Sequence, residues 1–129
     1  MCIFCKIING EIPAKVVYED EHVLAFLDIN PRNKGHTLVV PKKHYERFDE
    51  MPDDDLCKFI KGVKKTVEVL KKLGFDGYNI VNNNGRVAGQ EVNHVHFHII
   101  PRYEGDGEVV KFGEIKKVDL DEVLREINK

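Results

Sequence analysis

The sequence has little of several features that mark large classes of protein. Its three cysteines are too few, and odd in number, for a disulfide framework, which indicates a reducing compartment. No apolar run is long enough to span a bilayer, and the start lacks the cleavage site of a signal peptide. The formal net charge of −2 gives no broad attraction for nucleic acid or membranes. We therefore expect a cytoplasmic protein whose residues 1–129 form one domain and bind neither of these partners.

Hydrophobic patterning predicts an α+β fold with short strands and one long helix. Apolar residues that alternate or cluster predict five strands, over 15–20, 22–29, 36–42, 78–83 and 94–102. Helices are expected within 2–8, over 53–74 behind a capping aspartate, and over 119–127. Short links between the strands favour an antiparallel sheet.

The long helix carries two apolar stripes. The main stripe consists of Leu56, Phe59, Ile60, Val63, Val67 and Leu70. A second stripe of Gly62, Thr66, Val69 and Leu73 lies about 100° round the helix. Core packing alone would explain this width, but a homodimer contact through the second stripe is the more economical interpretation.

The stretch HVHFHII places His94, His96 and His98 on alternate positions. In a strand these three side chains point one way, and the apolar residues between them point to the core. At about 3.3 Å per residue the outer Cα atoms lie about 13 Å apart. Zinc–nitrogen bonds are only about 2 Å long, so one ion does not gather all three rings. A metal bound by two neighbouring rings is one possible use of the row. The preferred interpretation is that the row lies along a substrate.

The loop NNNGRVAGQEV (82–92) directly precedes the histidines. Its side-chain amides and the backbone N–H groups of Gly85 and Gly89 are candidate donors to phosphoryl oxygens. An ordinary hairpin turn is the structural alternative. Neither GxxxxGK nor GxGxxG occurs in the chain, so ATP-driven and hydride-transfer chemistry have no support.

Cys2 and Cys5 form a C-x-x-C pair near the start of the chain. Such a pair supplies half of a tetrahedral zinc site. A redox role normally places the pair between a strand and a helix of a βαβ unit, which the pattern here does not predict. Two buried thiols without a metal are the alternative.

The motif His-φ-His-φ-His-φ-φ, with φ apolar, is identified as that of the histidine triad superfamily. The segment AFLDINPRNKGHTLVVPKKH resembles the second conserved block of this family, and GQEVNHVHFHIIPR, which contains the motif, resembles the third. The start, CIFCKIINGEIPA, resembles the branch close to histidine-triad nucleotide-binding proteins. The resemblance implies a five-stranded antiparallel sheet that pairs in a homodimer into ten strands. It also implies purine nucleotide binding and cleavage at the α-phosphate of a nucleotidyl bond.

The resemblance also implies roles for individual residues. His96 is the expected nucleophile, because it has a histidine on each side and a neutral imidazole attacks phosphorus well. His98 would donate to a phosphoryl oxygen, and His36 would support the triad. By the same resemblance, Asp28 accepts the ribose hydroxyls and Ile29 lines the base pocket. The phosphate-contacting positions are Asn83, Gly89 and Gln90.

For the metal, the resemblance adds His44 and His94 to Cys2 and Cys5. Four protein ligands leave no open position, so the zinc would be structural and the chemistry would need no cofactor. One departure concerns Glu91, which stands where close relatives have a serine that contacts the phosphate or leaving group. The leaving group is therefore not settled by the resemblance.

Three functions are compatible with these observations. The first is a nucleotidyl hydrolase or transferase that uses a histidine nucleophile. The second is a nucleotide-binding interaction module whose catalysis is incidental. The third is a metal-dependent hydrolase that uses the H-x-H pair and one further ligand.

Overall fold

The computed structural model describes residues 2–129 and builds a five-stranded antiparallel sheet. Its strands are β1 (Val16–Glu19), β2 (Val23–Leu27), β3 (Thr37–Pro41), β4 (Gly77–Asn82) and β5 (Phe97–Arg102), in the spatial order β1-β2-β3-β5-β4. The helices are α1 (Ile3–Ile8), α2 (Asp53–Leu70) and α3 (Leu120–Ile127). Single 3-10 turns lie at Phe48–Glu50, Lys71–Leu73 and Arg86–Ala88. The predicted α+β class and antiparallel sheet are confirmed.

Two predicted boundaries need correction. Pro52 occupies the N-cap of α2 and no side chain caps the helix, so the predicted capping aspartate is wrong. The aspartates instead fill the first turn, where they face the positive end of the helix dipole. β5 begins at Phe97, because the N–H of His94 bonds to the Val92 carbonyl and that of Val95 to the Tyr45 carbonyl. His94 and His96 therefore precede the strand.

Alternation along β2 and β3 buries both faces of the sheet. Val23, Ala25 and Val39 point towards α2 and pack with its apolar stripe. Leu24, Phe26 and Val40 point the other way and form a second cluster with Phe4 of α1. The α1 face is the one that carries the histidines, since His98 lies directly opposite Leu38 of that cluster.

The second stripe of α2 packs inside the chain, contrary to prediction. A Cβ atom at Gly62 would lie 2.6 Å from Cγ2 of Val23, so only glycine lets the helix approach β2 this closely. Thr66 is fully buried, and its hydroxyl donates to the Gly62 carbonyl at 2.8 Å. The stripe thus serves helix-to-sheet packing, and a dimer contact through Gly62 is ruled out.

The C-terminal segment contributes no buried residue to either core. α3 begins after Asp119, whose carboxylate accepts the N–H groups of Asp121 and Glu122. All residues of α3 are exposed. Within residues 2–129 no helix is long and apolar enough to cross a membrane.

Candidate functional site

The three histidines occupy different environments on the α1 face. His94 is 0% exposed, His96 is 6% exposed, and His98 is half-buried. Burial therefore closes His94 to a substrate, and this is the histidine that the resemblance assigns to the metal. The tautomer of each ring therefore has to be deduced from that ring's own hydrogen bonds.

His96 has a tautomer set by the backbone. Its Nδ1 lies 2.7 Å from the carbonyl oxygen of His94. A carbonyl only accepts, so Nδ1 carries the proton and Nε2 keeps its lone pair. The rings of Phe4 and His98 pack edge-on against the imidazole, with centroids at 5.0 Å and 5.1 Å. His96 therefore presents an unprotonated nitrogen in a fixed orientation.

His36 and His98 form a directional hydrogen-bonded pair. The backbone N–H of Arg32 donates to Nδ1 of His36 at 2.9 Å, so a neutral His36 carries its proton on Nε2. That Nε2 lies 3.0 Å from Nδ1 of His98 and donates to it. A neutral His98 then has its proton on Nε2. The loop backbone at Arg32 thus fixes His98 as a donor through one intervening ring.

Burial keeps both rings of this pair neutral. It lowers the pKa of His98 from 6.5 to about 4, with smaller contributions from the neighbouring His96 and His36. Burial also lowers the pKa of His36, although the carboxylate of Asp28 opposes this shift. At pH 7 the pair therefore works by hydrogen bonding and carries no positive charge.

Asp28 lies at the end of β2, beside this pair. Its Oδ1 accepts the N–H of Asn30 at 2.8 Å, and its Oδ2 lies 3.5 Å from Nε2 of His36. The next residue, Ile29, is 91% exposed. An acceptor carboxylate and an uncovered apolar side chain therefore stand next to each other at the rim of the histidine cluster.

Asp28, His36 and His98 also meet the distance requirement for three metal ligands. The hydrogen bonds argue against that use. Nδ1 of His36 already accepts from Arg32, so the nitrogen facing the cluster carries a proton and has no lone pair for a metal. This weighs against a metal-dependent hydrolase built on the H-x-H pair.

The three asparagines at the end of β4, Asn82, Asn83 and Asn84, differ in their partners. Asn82 donates to the His96 carbonyl at 3.1 Å, and Asn84 donates to Asn82 at 2.7 Å. Asn84 also accepts the N–H of Phe48. Within residues 2–129 no hydrogen bond of the Asn83 amide is found. Asn82 and Asn84 therefore hold the loop to the sheet, and the Asn83 amide is available to a ligand.

The remaining predicted phosphate donors are used inside the loop. Oε1 of Gln90 accepts the N–H of Gly85, and its amide nitrogen donates to the carbonyls of Glu46 and Val92. Gln90 is 6% exposed and has no N–H left for a phosphate. The N–H of Gly89 bonds to the Arg86 carbonyl at 3.0 Å. The prediction that the N–H groups of Gly85 and Gly89 are free to bind a phosphate is therefore wrong.

Gly89 contributes space and backbone conformation. It has φ of +98°, which disfavours other residues, and a Cβ there would lie 3.4 Å from the amide nitrogen of Asn83. The glycine keeps the approach to Asn83 open. Glu91, the residue that departs from the family pattern, is exposed in the same loop.

Cys2, Cys5, His44 and His94 meet on the α1 face. Their four ligand atoms lie within 4.8 Å of one another. The two sulfurs are 3.2 Å apart, the two Nδ1 atoms are 3.0 Å apart, and the sulfur–nitrogen distances run from 3.3 to 3.7 Å. Tetrahedral zinc with bonds of about 2.0–2.3 Å needs a sulfur–nitrogen edge of about 3.5 Å, which these distances match, and somewhat longer sulfur–sulfur and nitrogen–nitrogen edges than those found.

His94 is oriented for this set by a second hydrogen bond. Its Nε2 donates to the Pro41 carbonyl at 2.8 Å, so the unprotonated Nδ1 faces the two sulfurs. Burial lowers the pKa of His94 to about 4, which keeps the ring neutral, as a metal ligand must be. The residues present therefore fit a zinc ion.

Sequence reasoning missed residues that act through the backbone or through packing. The carbonyls of Pro41 and His94 and the N–H of Arg32 set the three tautomers, and no side-chain pattern reveals them. The sequence pattern predicts a short helix that contains Phe4 but indicates no role for this residue. Its position between the two cysteines was the available signal.

Comparison with known proteins gives a family match. The HIT domain model matches residues 9–105. An uncharacterised HIT-like protein of Methanocaldococcus jannaschii is 96% identical over 98% of each chain. The adenosine 5'-monophosphoramidase of Schizosaccharomyces pombe is 50% identical over 78% of this chain and 74% of its own. The structure of a Zn-bound histidine triad family protein from Mycobacterium smegmatis has 39% identity and a TM-score of 0.77, covering 82% of this chain and 78% of its own.

Proposed function

Because the chain belongs to the HIT domain family, we propose that it is a nucleotidyl hydrolase or transferase that cleaves a purine nucleoside phosphoramidate or a related bond at the α-phosphate. The observation that carries this proposal is the tautomer of His96. Its Nδ1–H is bound to the His94 carbonyl at 2.7 Å, which leaves Nε2 as a neutral nucleophile. The name of the fission yeast relative supports the phosphoramidate class.

The reaction proceeds in two displacements at phosphorus. The Nε2 lone pair of His96 forms a phosphorus–nitrogen bond, the bond to the leaving group breaks, and the leaving group takes up a proton from solvent. Water then attacks the same phosphorus and gives up a proton to solvent, the bond to His96 breaks with its electron pair returning to Nε2, and the nucleoside monophosphate leaves. The hydrogen bond to the His94 carbonyl stabilises the positive charge that the ring gains on attack.

His98 stabilises the negative charge that develops on the phosphoryl oxygens. Its Nε2–H is the donor, because its Nδ1 accepts from His36. A neutral donor in a half-buried site is held ready and needs no reorganisation during the reaction. His36 does not touch the phosphate. It transmits the orientation set by the Arg32 N–H.

The nucleotide is held at the rim of the cluster. Asp28 accepts the ribose hydroxyls, and the exposed Ile29 covers one side of the base. The free amide of Asn83 contacts the phosphate, and Gly89 leaves the room for it. Gln90 supports this arrangement from within the loop and makes no direct side-chain contact.

A zinc ion bound by Cys2, Cys5, His44 and His94 has a structural role in this proposal. When bound it supplies four ligand bonds that tie the start of the chain to the sheet, and these bonds contribute folding free energy. Removing the ion is expected to lower stability much more than it lowers turnover. A metal-dependent hydrolase would show the reverse order.

The proposal includes a homodimer formed through the edge strand β4. Its Tyr78 and Ile80 are 45% and 47% exposed, and Ile60 of α2 beside them is 41% exposed. An apolar edge strand of this kind favours pairing with a second copy, which would extend the sheet to ten strands. The predicted dimer is thereby moved from the Gly62 stripe to the opposite side of the helix.

Native mass measurement tests this interface. Ile80→Lys places a charge on the β4 edge and should give monomers. Val16→Lys is the matched control, because Val16 is 53% exposed on the other edge strand, β1. A monomeric wild-type protein, or a dimer that tolerates Ile80→Lys, would contradict the interface.

The decisive test of the reaction uses purified protein and a panel of adenosine and guanosine substrates labelled at the α-phosphate. The panel contains phosphoramidates, dinucleoside polyphosphates and acyl-adenylates, which also identifies the leaving group that Glu91 accepts. Quenching with denaturant at alkaline pH should recover a base-stable nucleotidyl-protein in the wild type, and its label should be released on transfer to acid. Tight nucleotide binding without turnover on any substrate would favour the interaction module instead.

A further inference from the structure

Helix α1 joins the metal site to the expected nucleophile. It has six residues, and the Cys2 sulfur accepts the N–H of Cys5 at its start. Helices this short are not stable alone in water, so α1 depends on what holds it to the sheet. Two of the four candidate metal ligands, Cys2 and Cys5, flank Phe4, the one buried residue of the helix.

Phe4 contacts the ring of His94, a candidate metal ligand, and the ring of His96, the expected nucleophile. Its centroid lies 5.0 Å from that of His96 with an interplanar angle of 78°, and 5.9 Å from that of His94 at the same angle. Phe26 of β2 supports it from the sheet at 5.7 Å. Phe4 is 6% exposed, so its ring has little room to move.

The hydrogen bond of His96 does not by itself fix the imidazole. One bond from Nδ1–H to the His94 carbonyl allows the ring to pivot, and Nε2, at the far side of the ring, then moves the most. The edge-on contacts with Phe4 and His98 limit this pivot from two directions.

We propose that Phe4 is a positioning residue for His96, and that the bonds of Cys2 and Cys5 to a metal make this positioning depend on the metal site. The inference rests on the proposed function, because it assigns the nucleophile to His96. A displacement of about 1 Å at a reacting atom lowers a rate by about 10²-fold, so partial loss of the Phe4 contact should have a measurable effect.

The experiment compares Phe4→Ala with Phe4→Leu and with the control Ile8→Ala. Ile8 packs against the same core cluster from the same helix but has no ring contact with His96. Phe4→Ala should lower kcat about tenfold with KM within about twofold of wild type. Phe4→Leu fills most of the space and should recover part of the loss, and Ile8→Ala should leave kcat unchanged.

A second measurement is independent of turnover. Nitrogen NMR of the His96 ring reports its tautomer and its motion at fixed pH. Wild type should show one ordered ring protonated on Nδ1, and Phe4→Ala should show a broadened or mixed signal. Protein stripped of metal by a chelator should resemble Phe4→Ala, and adding Phe4→Ala to stripped protein should change little further.

These readouts separate failure of this inference from failure of the proposed function. If no substrate is turned over but the His96 signal changes as described, the positioning stands and the reaction assignment fails. An unchanged His96 signal in Phe4→Ala overturns the inference. A rise in KM with unchanged kcat also overturns it, because Phe4 would then contact the nucleoside. An effect of Ile8→Ala on kcat equal to that of Phe4→Ala would also overturn the inference, because loss of core packing alone would then explain the effect.

Discussion

His94 and His98 are the two ends of one histidine row, and their hydrogen bonds run in opposite senses. His94 donates from Nε2 to the Pro41 carbonyl and turns the lone pair of Nδ1 towards Cys2 and Cys5. His98 accepts at Nδ1 from His36 and keeps its proton on Nε2. Burial lowers the pKa of both to about 4.

The difference shows that residue type and burial do not decide the use of an imidazole. The partner of the other ring nitrogen decides it. A backbone acceptor at Nε2 leaves His94 with a lone pair on Nδ1 that can bind a metal, and a ring donor at Nδ1 leaves His98 with a proton on Nε2 that can be donated. His96 lies between them and takes a third arrangement from the His94 carbonyl.

The largest expected effect comes from removing the ring between the two ends. His96→Asn keeps a polar side chain but has no nucleophilic nitrogen, so turnover should fall by roughly several orders of magnitude. Metal content and nucleotide binding should survive, since other residues hold both. Steady-state kinetics, metal analysis and nucleotide titration measure the three quantities. Near-normal turnover in this variant would place the nucleophile elsewhere.

A smaller effect on turnover is expected at His98, the end of the row that is proposed to contact the phosphate. His98→Asn removes one donor to the phosphoryl oxygens and should cost about 10²–10³-fold in kcat. The metal should stay bound, because His98 is not among the four residues Cys2, Cys5, His44 and His94. Loss of metal from this variant would show that the two ends are not separate.

At the end of the histidine row that carries His94, a substitution should affect stability more than turnover. Purified wild type should carry about one zinc per chain. Cys5→Ala should lose that zinc and lower the melting temperature by roughly 5 °C or more, while turnover falls only about tenfold. Thermal melts, metal analysis and kinetics on the same preparation measure this order. Absence of zinc after anaerobic, chelator-free purification of the wild type would leave two buried thiols as the better account of Cys2 and Cys5.

The smallest expected effect is on the pH dependence of stability. The folded state holds His98 neutral down to a pKa of about 4, but the unfolded chain binds that proton near 6.5. Stability contributed by neutral His98 is thus full above pH 6.5 and is lost as the pH falls towards 4. Urea unfolding at pH 7.5 and pH 5 should show a larger loss in wild type than in His98→Asn.

Comparing wild type with His98→Asn also controls for the effect of carboxyl groups on the pH dependence of stability. Hydrogen bonds from Tyr18 and two backbone N–H groups lower the pKa of Asp20, and hydrogen bonding to Arg102 lowers that of Asp106. The stability that these two carboxyls contribute is lost only as the pH falls below their ordinary pKa of 3.8, so it changes little between pH 7.5 and pH 5, and equally in the two proteins. Equal losses in wild type and His98→Asn would contradict neutral burial of His98.

Local pattern predicted much of this molecule. Alternation and apolar runs located five strands, because side chains on a strand point to opposite faces in turn. The spacing of Phe59, Val63 and Val67 predicted α2, and motif resemblance brought together Cys2, Cys5, His44 and His94, which the structure places within ligand distance. The motif did not reveal that β5 starts only at Phe97.

What the sequence alone determined is therefore the fold class and the set of chemically capable side chains, since both follow from periodicity and residue type. Tertiary structure alone decided how those side chains are used. Gly62 faces Val23 and not a partner, and the side-chain amide of Gln90 bonds within the chain. The tautomers of His94 and His98 follow from Pro41 and His36, which lie far away along the chain. The physical reason is that hydrogen bonds to backbone carbonyls and to distant rings depend on where the chain returns to itself, which no local pattern encodes.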